Sequence, residues 1–508
     1  MKINLPLAVD LTINGFSGGA ITELESGITN GVIEKVGNRL FLTQRPSIDI
    51  FEDASAQSAG SRGRGIFYWD GNSALYIVND GTLYKDSQSN SISTLPTASH
   101  KKCKFLVLDT LLIMIDAVND EAFTISTSDT VTKITDLQFP PNLTPAVGLA
   151  HGGVVLDGYL FVLGENGYIY NSVLETAGSF EPLDLLNAER SPDGGAYLGK
   201  HHDNIVAFGV ATIEFFYDAG NTTGSPLNRR QDVAYNTGCS DGESVWEVGD
   251  RTFFVSTNES GALGVHVLEN FNIRKISNSS IESFLSQVIA KDGYSVTGSG
   301  FTAQGHTFYI MTVYSVSTDI VPAISLVYDD TTGLWGEWES TANGLTKFPI
   351  VDWTIRTGIV PRYGEGILSN GDLITINDNF SPQDTLLASQ YVADDYVDTG
   401  YVVDSGAAGT AITLKARLGH YDGGVNNKKF MKDLRHVGNL TTASQNLIIR
   451  WADENNASFN TGRTIDVSKF QKITKCGHFR RRNHELEYAG TEVVRLDRLE
   501  GNADIGNS

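Results

Sequence analysis

The chain has 508 residues, of which 41% are hydrophobic and 19% are charged, and this composition supports a buried core and excludes global disorder. Asp and Glu number 60 against 38 Lys and Arg, so the net charge is −22, and such an acidic surface disfavours binding to nucleic-acid phosphates. The three cysteines, Cys103, Cys239 and Cys476, are far apart and lie in no CxxC motif, which argues against a disulfide framework and against a zinc finger.

The amino-terminal sequence MKINLPLAVDLTING contains one lysine and no long apolar segment. The chain nowhere reaches roughly 18 uninterrupted apolar residues, the length that a membrane-spanning helix needs. We therefore expect neither a signal peptide nor a membrane span, and we expect synthesis in a reducing cytoplasm. The 52 glycines, the many Tyr and Phe residues and only 4 methionines favour β structure.

Short β-rich runs recur in pairs, each pair joined by a turn rich in Gly, Asn or Asp. The first pair is Ala74–Val78 and Thr82–Tyr84, and the Asp80-Gly81 step between them suits a hairpin that needs positive φ. The later pairs are Leu111–Asp116 with Ala122–Ile125, Tyr159–Leu163 with Tyr168–Tyr170, Ile205–Gly209 with Thr212–Tyr217, Thr252–Ser256 with Gly264–Leu268, Thr307–Tyr314 with Ile324–Tyr328, and Gly366–Leu368 with Leu373–Ile376.

The spacing of these hairpins predicts a repeat architecture. The first runs begin near positions 75, 111, 160, 205, 253, 308 and 367, so they are 36 to 59 residues apart. A period of roughly 40–50 residues with one hairpin in each unit is typical of a β-propeller blade. We predict a mainly β fold with a β-propeller of six or seven blades over residues 56–390; a set of β-meanders in several sandwiches is the alternative.

One helix is predicted between the later hairpins. Ser279 and Glu282 have the spacing of a capping box, and an apolar stripe at helical spacing follows. The stripe comprises Ile281, Phe284, Leu285, Val288 and Ile289. We expect this helix to pack on the face of a sheet.

The sequence changes character near residue 390. Longer strands are predicted from Ala411 onward, and the segment from Lys415 to Glu500 has 16 basic and 10 acidic residues, the reverse of the balance elsewhere. We predict a C-terminal β-sandwich-like domain over residues 391–508. Residues 1–55 form a separate amino-terminal β segment, for which we predict a place in a platform or in the closure of the ring.

The sequence shows few converging groups of the kind that an active site needs. His201-His202 resembles a metal pair, but adjacent residues of a strand point to opposite faces, so a turn position fits better. Asn377-Asp378-Asn379 lacks the spacing of a calcium loop, and Ser191–Gly195 resembles a sialidase turn that occurs once here. Neither Gly-x-Ser-x-Gly nor a P-loop is present. We therefore predict no catalytic residue, no metal site and no cofactor.

Two basic stretches are candidates for contacts with partners. Arg62 and Arg64 lie in the Gly/Ser/Arg stretch Ser58–Gly65, which is either a flexible loop or an exposed partner-contact loop. Arg480, Arg481 and Arg482 form the most basic spot of the chain. They are predicted either to line a solvated edge or to pair with acidic groups of a neighbouring subunit or an adaptor, and direct contact with DNA is a third reading.

Several stretches are distinctive when taken in their order along the chain: Arg64–Lys85, Glu189–Leu227, Ile273–Phe284, the turn Trp451–Glu454 and the Arg-rich Gly477–Glu487. Together they resemble one family: packaged-DNA stabilisation proteins, or tail nozzle proteins, of short-tailed bacteriophages. Gly477–Glu487 resembles the Arg-rich closing strand of the family, and Trp451–Glu454 resembles its Trp-Ser-Asp-Asp type of turn. The first 50 residues and the segment 340–400 do not share the resemblance.

The resemblance implies a propeller-bearing structural protein of the virion tail, without catalytic activity, made in the cytoplasm of the host bacterium. Such proteins form a homo-hexameric ring below the portal and the tail adaptor, or head-to-tail connector. The ring continues the DNA channel, helps to retain the genome, lets DNA pass without sequence-specific binding, and attaches a fibre, spike, needle or plug. The acidic residues that we then expect to face the channel are Asp394, Asp395, Asp398 and Asp404.

Two other functions stay open from the sequence. A carbohydrate-binding or receptor-binding β-propeller of the tail could stack sugars on aromatic side chains, and Tyr68, Trp69 and Trp335 are candidates if they are exposed. A polysaccharide-cleaving propeller would need two carboxylates about 5–10 Å apart in a cleft, and nothing in the sequence selects such a pair.

Overall fold

The computed structural model describes residues 2–17, 20–52, 63–96, 101–188, 193–258, 260–289, 294–315, 322–340, 347–356, 363–377, 383–386, 410–454 and 458–506. These residues form 45 strands, one α-helix and two short 3-10 helices, so the prediction of a mainly β fold is confirmed. The predicted boundaries after residue 55 and after residue 390 both fall in segments outside the described residues.

Six strands lie in the amino-terminal segment, before residue 53. The first five belong to a C-terminal body described below, and the sixth belongs to the propeller. They are β1 (Lys2–Pro6), β2 (Thr12–Ser17), β3 (Ala20–Thr29), β4 (Gly31–Val36), β5 (Arg39–Gln44) and β6 (Ser47–Glu52).

Antiparallel sheets then follow one another along the chain, and the described residues contain seven of them. We call these sheets the first to the seventh blade. The first blade contains β7 (Gly63–Trp69), β8 (Ala74–Asn79), β9 (Thr82–Lys85) and β10 (Ser87–Thr94), and the second contains β11 (Lys104–Leu108), β12 (Leu111–Asp116), β13 (Glu121–Ser126) and β14 (Val131–Lys133). The 3-10 helix Pro140–Asn142 and the short β15 (His151–Gly152) follow. The third blade contains β16 (Val154–Leu156), β17 (Tyr159–Leu163), β18 (Tyr168–Val173) and β19 (Thr176–Asn187).

The fourth blade also takes in β15, which pairs in parallel with its first strand. The other strands of the fourth blade are β20 (Gly195–His201), β21 (Asn204–Gly209), β22 (Ile213–Asp218) and β23 (Leu227–Tyr235), and the fifth blade contains β24 (Gly238–Cys239), the 3-10 helix Gly242–Ser244, β25 (Trp246–Val248), β26 (Arg251–Thr257), β27 (Gly264–Glu269) and β28 (Asn272–Lys275). The sixth blade contains β29 (Tyr294–Ala303), β30 (His306–Ser315), β31 (Pro322–Asp329) and β32 (Leu334–Glu337). The seventh contains β33 (Ile350–Arg356), β34 (Tyr363–Leu368) and β35 (Leu373–Asn377).

The blades close into a ring. Successive blades touch through their inner strands, and β33 of the seventh blade packs against β7 of the first. An apolar cluster fills that closing seam, with Ile66 and Ile77 from the first blade and Val351 and Ile367 from the seventh. The fourth strand of the seventh blade is β6, which comes from the amino-terminal segment and pairs with β35. A further strand, Gln383–Leu386, pairs in parallel with the other edge of β6. The ring is therefore held shut by a strand from far away in the sequence.

Local turn chemistry explains why the hairpins were recognisable. Asp80, in the predicted turn of the first blade, has a φ of 50°, a value that Asp tolerates better than most residues. The predicted helix is α1 (Ser279–Ile289), and Ile281, Phe284 and Leu285 are buried as expected. Its cap differs from the prediction.

The cap of α1 is Asn278, whose side-chain oxygen accepts from the backbone N–H of Ile281 at 2.9 Å. Ser279 is the first helical residue and not the cap. The next residue, Ser280, bonds instead to the backbone of Ile13 in β2, and these bonds fix the helix against that strand.

A second body, which we call the platform, lies beside the ring. One of its two sheets runs β4-β5-β45-β39-β42, with β1 paired to β45; the other contains β3-β38-β44-β40-β41. An apolar core lies between the sheets, with Leu434 and Leu499 from the first and Leu447 and Leu486 from the second. The remaining strands are β36 (Gln383–Leu386), β37 (Thr410–Ala411), β38 (Leu414–Tyr421), β39 (Lys429–Gly438), β40 (Asn446–Asp453), β41 (Arg463–Asp466), β42 (Ile473–Thr474), β43 (His478–Phe479), β44 (Arg482–Tyr488) and β45 (Leu496–Ile505).

One sheet runs through both bodies. Strand β3 pairs with β38 of the platform on one side and, at Thr29 and Glu337, with β32 of the sixth blade on the other. The sixth blade and the platform therefore share a ten-stranded sheet. Because hydrogen-bonded strands do not slide freely past one another, this continuity makes the propeller and the platform one stiff block.

We predict that Ile50→Ala lowers the free energy of unfolding by about 2–5 kcal/mol, because Ile50 lies in β6 and is fully buried in the core of the closing blade. Leu174→Ala is the control, since Leu174 is exposed and its loss should cost within about 0.5 kcal/mol. Urea denaturation followed by tryptophan fluorescence measures both. Equal stability of the two variants would contradict a ring closed by β6.

Candidate functional site

The inner strands of the blades surround a cavity of about 230 Å³. Charged side chains from several blades converge on it, which makes this axial cavity the first candidate for a binding or catalytic site. The charged and titratable residues that line it are Lys102, Lys104, His151, Glu243, Glu247 and Asp352.

Glu243 joins the second blade to the fifth. Its carboxylate oxygens accept from the backbone N–H of Lys102 at 3.0 and 3.1 Å, and one of them lies 3.2 Å from Nδ1 of His151. The Lys102 ammonium donates to the carbonyls of Val245, at 2.8 Å, and Gly298, at 2.5 Å. Burial raises the pKa of Glu243 and lowers that of Lys102. These groups bridge blades and have few bonds left to offer a ligand.

The other lining charges are paired in the same manner. Nζ of Lys104 lies 2.6 Å from Glu247 and 3.4 Å from the hydroxyl of Tyr197. Burial opposes the charge of Lys104, but Glu247 and Tyr197 outweigh this effect and raise its pKa. Asp352 of the seventh blade accepts from the backbone N–H of Ile66 in the first, at 3.1 Å. Lys104 thus links the second blade to the fifth across the axis, whereas Asp352 links the neighbouring seventh and first blades.

The charged groups that line the axial cavity therefore hold the blades together, and the cavity is too small to be a channel for DNA. Its 230 Å³ is less than the roughly 300–1,000 Å³ of a typical ligand pocket. A DNA duplex, whose major groove alone is about 12 Å wide, has no room there. Among the described residues, no group of three His, Cys, Asp or Glu side chains is placed to hold a metal ion.

The structure corrects the prediction of an exposed contact loop at Arg64. Arg64 begins the inner strand of the first blade and is fully buried, with its guanidinium 2.6 Å from the carboxylate of Asp116 in the second blade. Its Nε donates to the carbonyl of Lys101 at 3.1 Å. Arg64 thus links the first blade to the second, and its buried side chain cannot contact a partner protein. The other predicted member of that loop, Arg62, lies outside the described residues, as do Asp394, Asp395, Asp398 and Asp404.

The three consecutive arginines divide into two classes. Arg482 is fully buried in the platform, where its guanidinium pairs with Asp453 at 2.5 and 3.0 Å and stacks 4.3 Å from the ring centre of Phe479. The prediction of an intersubunit contact is therefore wrong for Arg482, because its charge is already paired inside the chain. Arg480 and Arg481 are exposed and lie in the turn between β43 and β44, where they stay candidates.

Two of the three aromatic residues that suggested sugar stacking are not free to stack. Trp69 and Trp335 are both buried, and the indole N–H of Trp335 donates to the carbonyl of Ile276 at 2.8 Å. Tyr68 is half-buried and lies against the guanidinium of Arg356, 5.3 Å from its ring centre. The carbohydrate-binding prediction therefore loses Trp69 and Trp335, and one face of Tyr68 is covered.

The two adjacent histidines mark a turn. His201 ends β20, is buried, and accepts from the backbone N–H of Phe271 at 3.1 Å. His202 follows with a φ of 52°, as a turn residue would. The rings lie edge to face, 4.5 Å apart between centres.

A cluster that the sequence did not reveal lies in the first sheet of the platform. Glu500 in β45 accepts from Arg435 of β39 at 2.8 Å and from Arg498 at 2.7 Å, and it lies 3.4 Å from Nζ of Lys2 in β1. Arg435, then Arg498 and Lys2, lower the pKa of Glu500 to about 2. The only sequence signal was the excess of basic residues after Lys415, because the partners come from three strands.

We predict that Arg482→Ala destabilises the platform by at least about 2 kcal/mol, since it empties a buried site and leaves the carbonyl of Cys476 without its donor. Arg480→Ala, two residues away, is the matched control and should change stability by less than about 0.5 kcal/mol. Thermal melting of both purified variants is the measurement. Similar losses in the two variants would mean that the buried pair is not a stabilising element.

We predict that Glu500 contributes to the acid sensitivity of the chain. Its pKa is about 2 in the folded protein against an ordinary 4.5, so the unfolded chain binds more protons in that interval and stability falls as the pH drops from 4.5 towards 2. Glu500→Gln should lower stability at pH 7 and flatten this part of the profile. Melting temperatures at pH 7, 4.5 and 3 test it; parallel profiles for the two proteins would contradict it.

Among the residues that the structure describes, none belongs to a helix long and apolar enough to cross a membrane. No curated protein matches the chain. Solved structures similar to it include a streptogramin B lyase (10% identity, 65% of this chain and 97% of that one, TM-score 0.41), the N-terminal domain of Nup159 (6%, 69% and 98%, 0.38) and BamB from Moraxella catarrhalis (12%, 74% and 95%, 0.36).

The sequence profile of a phage stabilisation family, described as bacteriophage P22 Gp10, beta-propeller, matches residues 30–346. The match spans all but the last part of the ring and includes β32, the strand of the sixth blade that meets the platform. The resemblance seen in the sequence is thereby confirmed: the chain belongs to this family of phage structural proteins.

Proposed function

We propose that the protein is the tail nozzle, or hub, of a short-tailed phage. In this role six copies form a ring below the portal and the adaptor, continue the DNA channel, help to retain the genome, and attach a fibre, spike, needle or plug. The observation that carries the proposal is the axis of the propeller, where bonded charged groups leave a cavity of only about 230 Å³. A chain whose own axis is closed can surround DNA only together with other copies.

The joint between the two bodies supports a role in a ring. The ten-stranded sheet through the sixth blade and the platform holds the propeller at a fixed place relative to the platform. Identical stiff blocks repeat the same contact at the same angle, and closed rings form when that rotation returns to the start. A flexible joint would permit open chains of copies.

The charge of the chain suits a passage for DNA. Six copies at −22 each carry −132, and a wall with an excess of acid repels phosphates. Weak contacts let DNA leave quickly, so retention falls to a narrow constriction of loops or to a plug. We propose that Asp394, Asp395, Asp398 and Asp404 face this channel, and that Arg480 and Arg481 contact the adaptor or the adjacent subunit.

We predict that negative-stain electron microscopy of the purified protein, alone or with its adaptor, shows a ring with six spokes. Each spoke should be a propeller whose own centre is filled. A protein that stays monomeric with the adaptor present would contradict the proposal. Capsids assembled without the protein provide the functional control: they should fill with DNA and then lose it, whereas full retention would argue against a nozzle.

A further inference from the structure

The β4–β5 hairpin projects from the platform. All six residues from Lys35 to Leu40 are exposed, including two apolar ones, Val36 at 58% and Leu40 at 43%. Strand β5 pairs with β45 only at Leu42, so the outer part of the hairpin is a two-stranded ribbon. An isolated ribbon of this kind is only marginally stable in water, and exposed apolar side chains at its tip favour a partner surface.

The hairpin tip, residues Lys35–Leu40, is also basic. Neither Lys35 nor Arg39 forms an ion pair with a described residue, and the nearest acid along the strand, Glu34, is taken by Arg495 at 2.9 Å. Lys35 stands opposite Leu40 in the hairpin, and Val36 opposite Arg39. Directly opposed residues share a face, so each face of the tip presents one cation beside one apolar side chain.

The third blade carries a surface of the opposite kind on its outer strand, β19. Pairing with β18 is interrupted there, because the four residues Glu181–Asp184 stand opposite the single residue Asn171. Leu183, within this acidic bulge, is 79% exposed. Pro182 beside it has no N–H to offer another strand, which disfavours the addition of a strand at this edge.

Among the described residues, no cation pairs with the carboxylates of the acidic bulge. Neither Glu181 nor Asp184 forms an ion pair with a described residue. Burial and, after it, the neighbouring Glu181 raise the pKa of Asp184, which means that the two acids repel each other in the free chain. A partner that brings cations relieves this repulsion and covers Leu183.

We propose that the hairpin tip of one copy docks end-on on the acidic bulge of a second copy. Lys35 and Arg39, one on each face of the tip, then reach Glu181 and Asp184, and Val36 or Leu40 covers Leu183. The two surfaces differ, so the contact is head-to-tail and each copy gives one hairpin and receives one. The inference rests on the proposed ring and names the contact that would build it.

The test uses charge reversal in the full chain. K35E/R39E and E181K/D184K are each expected to weaken self-association at least about tenfold, because like charges then meet across the contact. The quadruple variant, and an equimolar mixture of the two double variants, should assemble again, since opposite charges face each other in both. Analytical ultracentrifugation at fixed salt measures association, and melting curves verify that each variant is folded.

The control for K35E/R39E is K200E/K475E. It makes the same change of net charge as K35E/R39E, but at two exposed lysines outside both surfaces, and it should leave assembly unchanged. Normal rings from K35E/R39E would overturn this inference while leaving the proposed nozzle intact. Loss of assembly that neither the quadruple variant nor the mixture restores would also overturn it, since the hairpin would then meet another surface, such as the adaptor. A native chain that never assembles would instead refute the ring itself.

Discussion

The structure depends on one polar junction between Asn30 and Arg45. Asn30 has a φ of 57°, and its side-chain oxygen accepts from the backbone N–H of Glu339 at 2.6 Å and from Nε of Arg45 at 3.2 Å, while its amide donates to Thr413. Arg45 is buried, donates to the carbonyl of Glu339 at 2.8 Å and stacks on Phe348. This network joins the amino-terminal hairpin, the end of the sixth blade and the first long platform strand. The shared sheet passes through this junction.

The charged residues of this protein fall into two groups: buried ones that hold the blades together and exposed ones that are open to other molecules. Inside the ring, cations and carboxylates of different blades are paired, as Lys104 is with Glu247 and Arg64 with Asp116. Removing one member of such a pair leaves the other uncompensated, so these residues register the blades against one another and are not available for chemistry. Exposed charges that form no ion pair with a described residue, such as those of Lys35 and Glu181, are where contacts with other molecules are expected. The same residue types thus serve structure or recognition according to their burial.

Short-range features could be predicted from the sequence, and long-range partners could not. The hairpins and α1 were predictable because a turn such as Asp80-Gly81, or an apolar stripe, is decided within a few residues. Arg64 and Arg482 looked exposed because Gly, Ser and consecutive Arg are common at surfaces, whereas their partners, Asp116 and Asp453, lie on other strands. The closure of the ring by β6 and the cluster at Glu500 likewise depend on strands that only the fold brings together. No local pattern contains that information.

A ring of acidic copies has to overcome its own repulsion. At physiological ionic strength the Debye length is about 8 Å, so the net charges of neighbouring copies repel mainly where their surfaces are close. A contact placed where a cationic tip meets an uncompensated acidic bulge turns that local repulsion into attraction, and it also orients the copies. Exposed ion pairs alone contribute little, so Leu183 and the side chain that covers it, Val36 or Leu40, must supply most of the affinity. Orientation by charge and affinity by apolar burial together let identical acidic blocks assemble in one direction only.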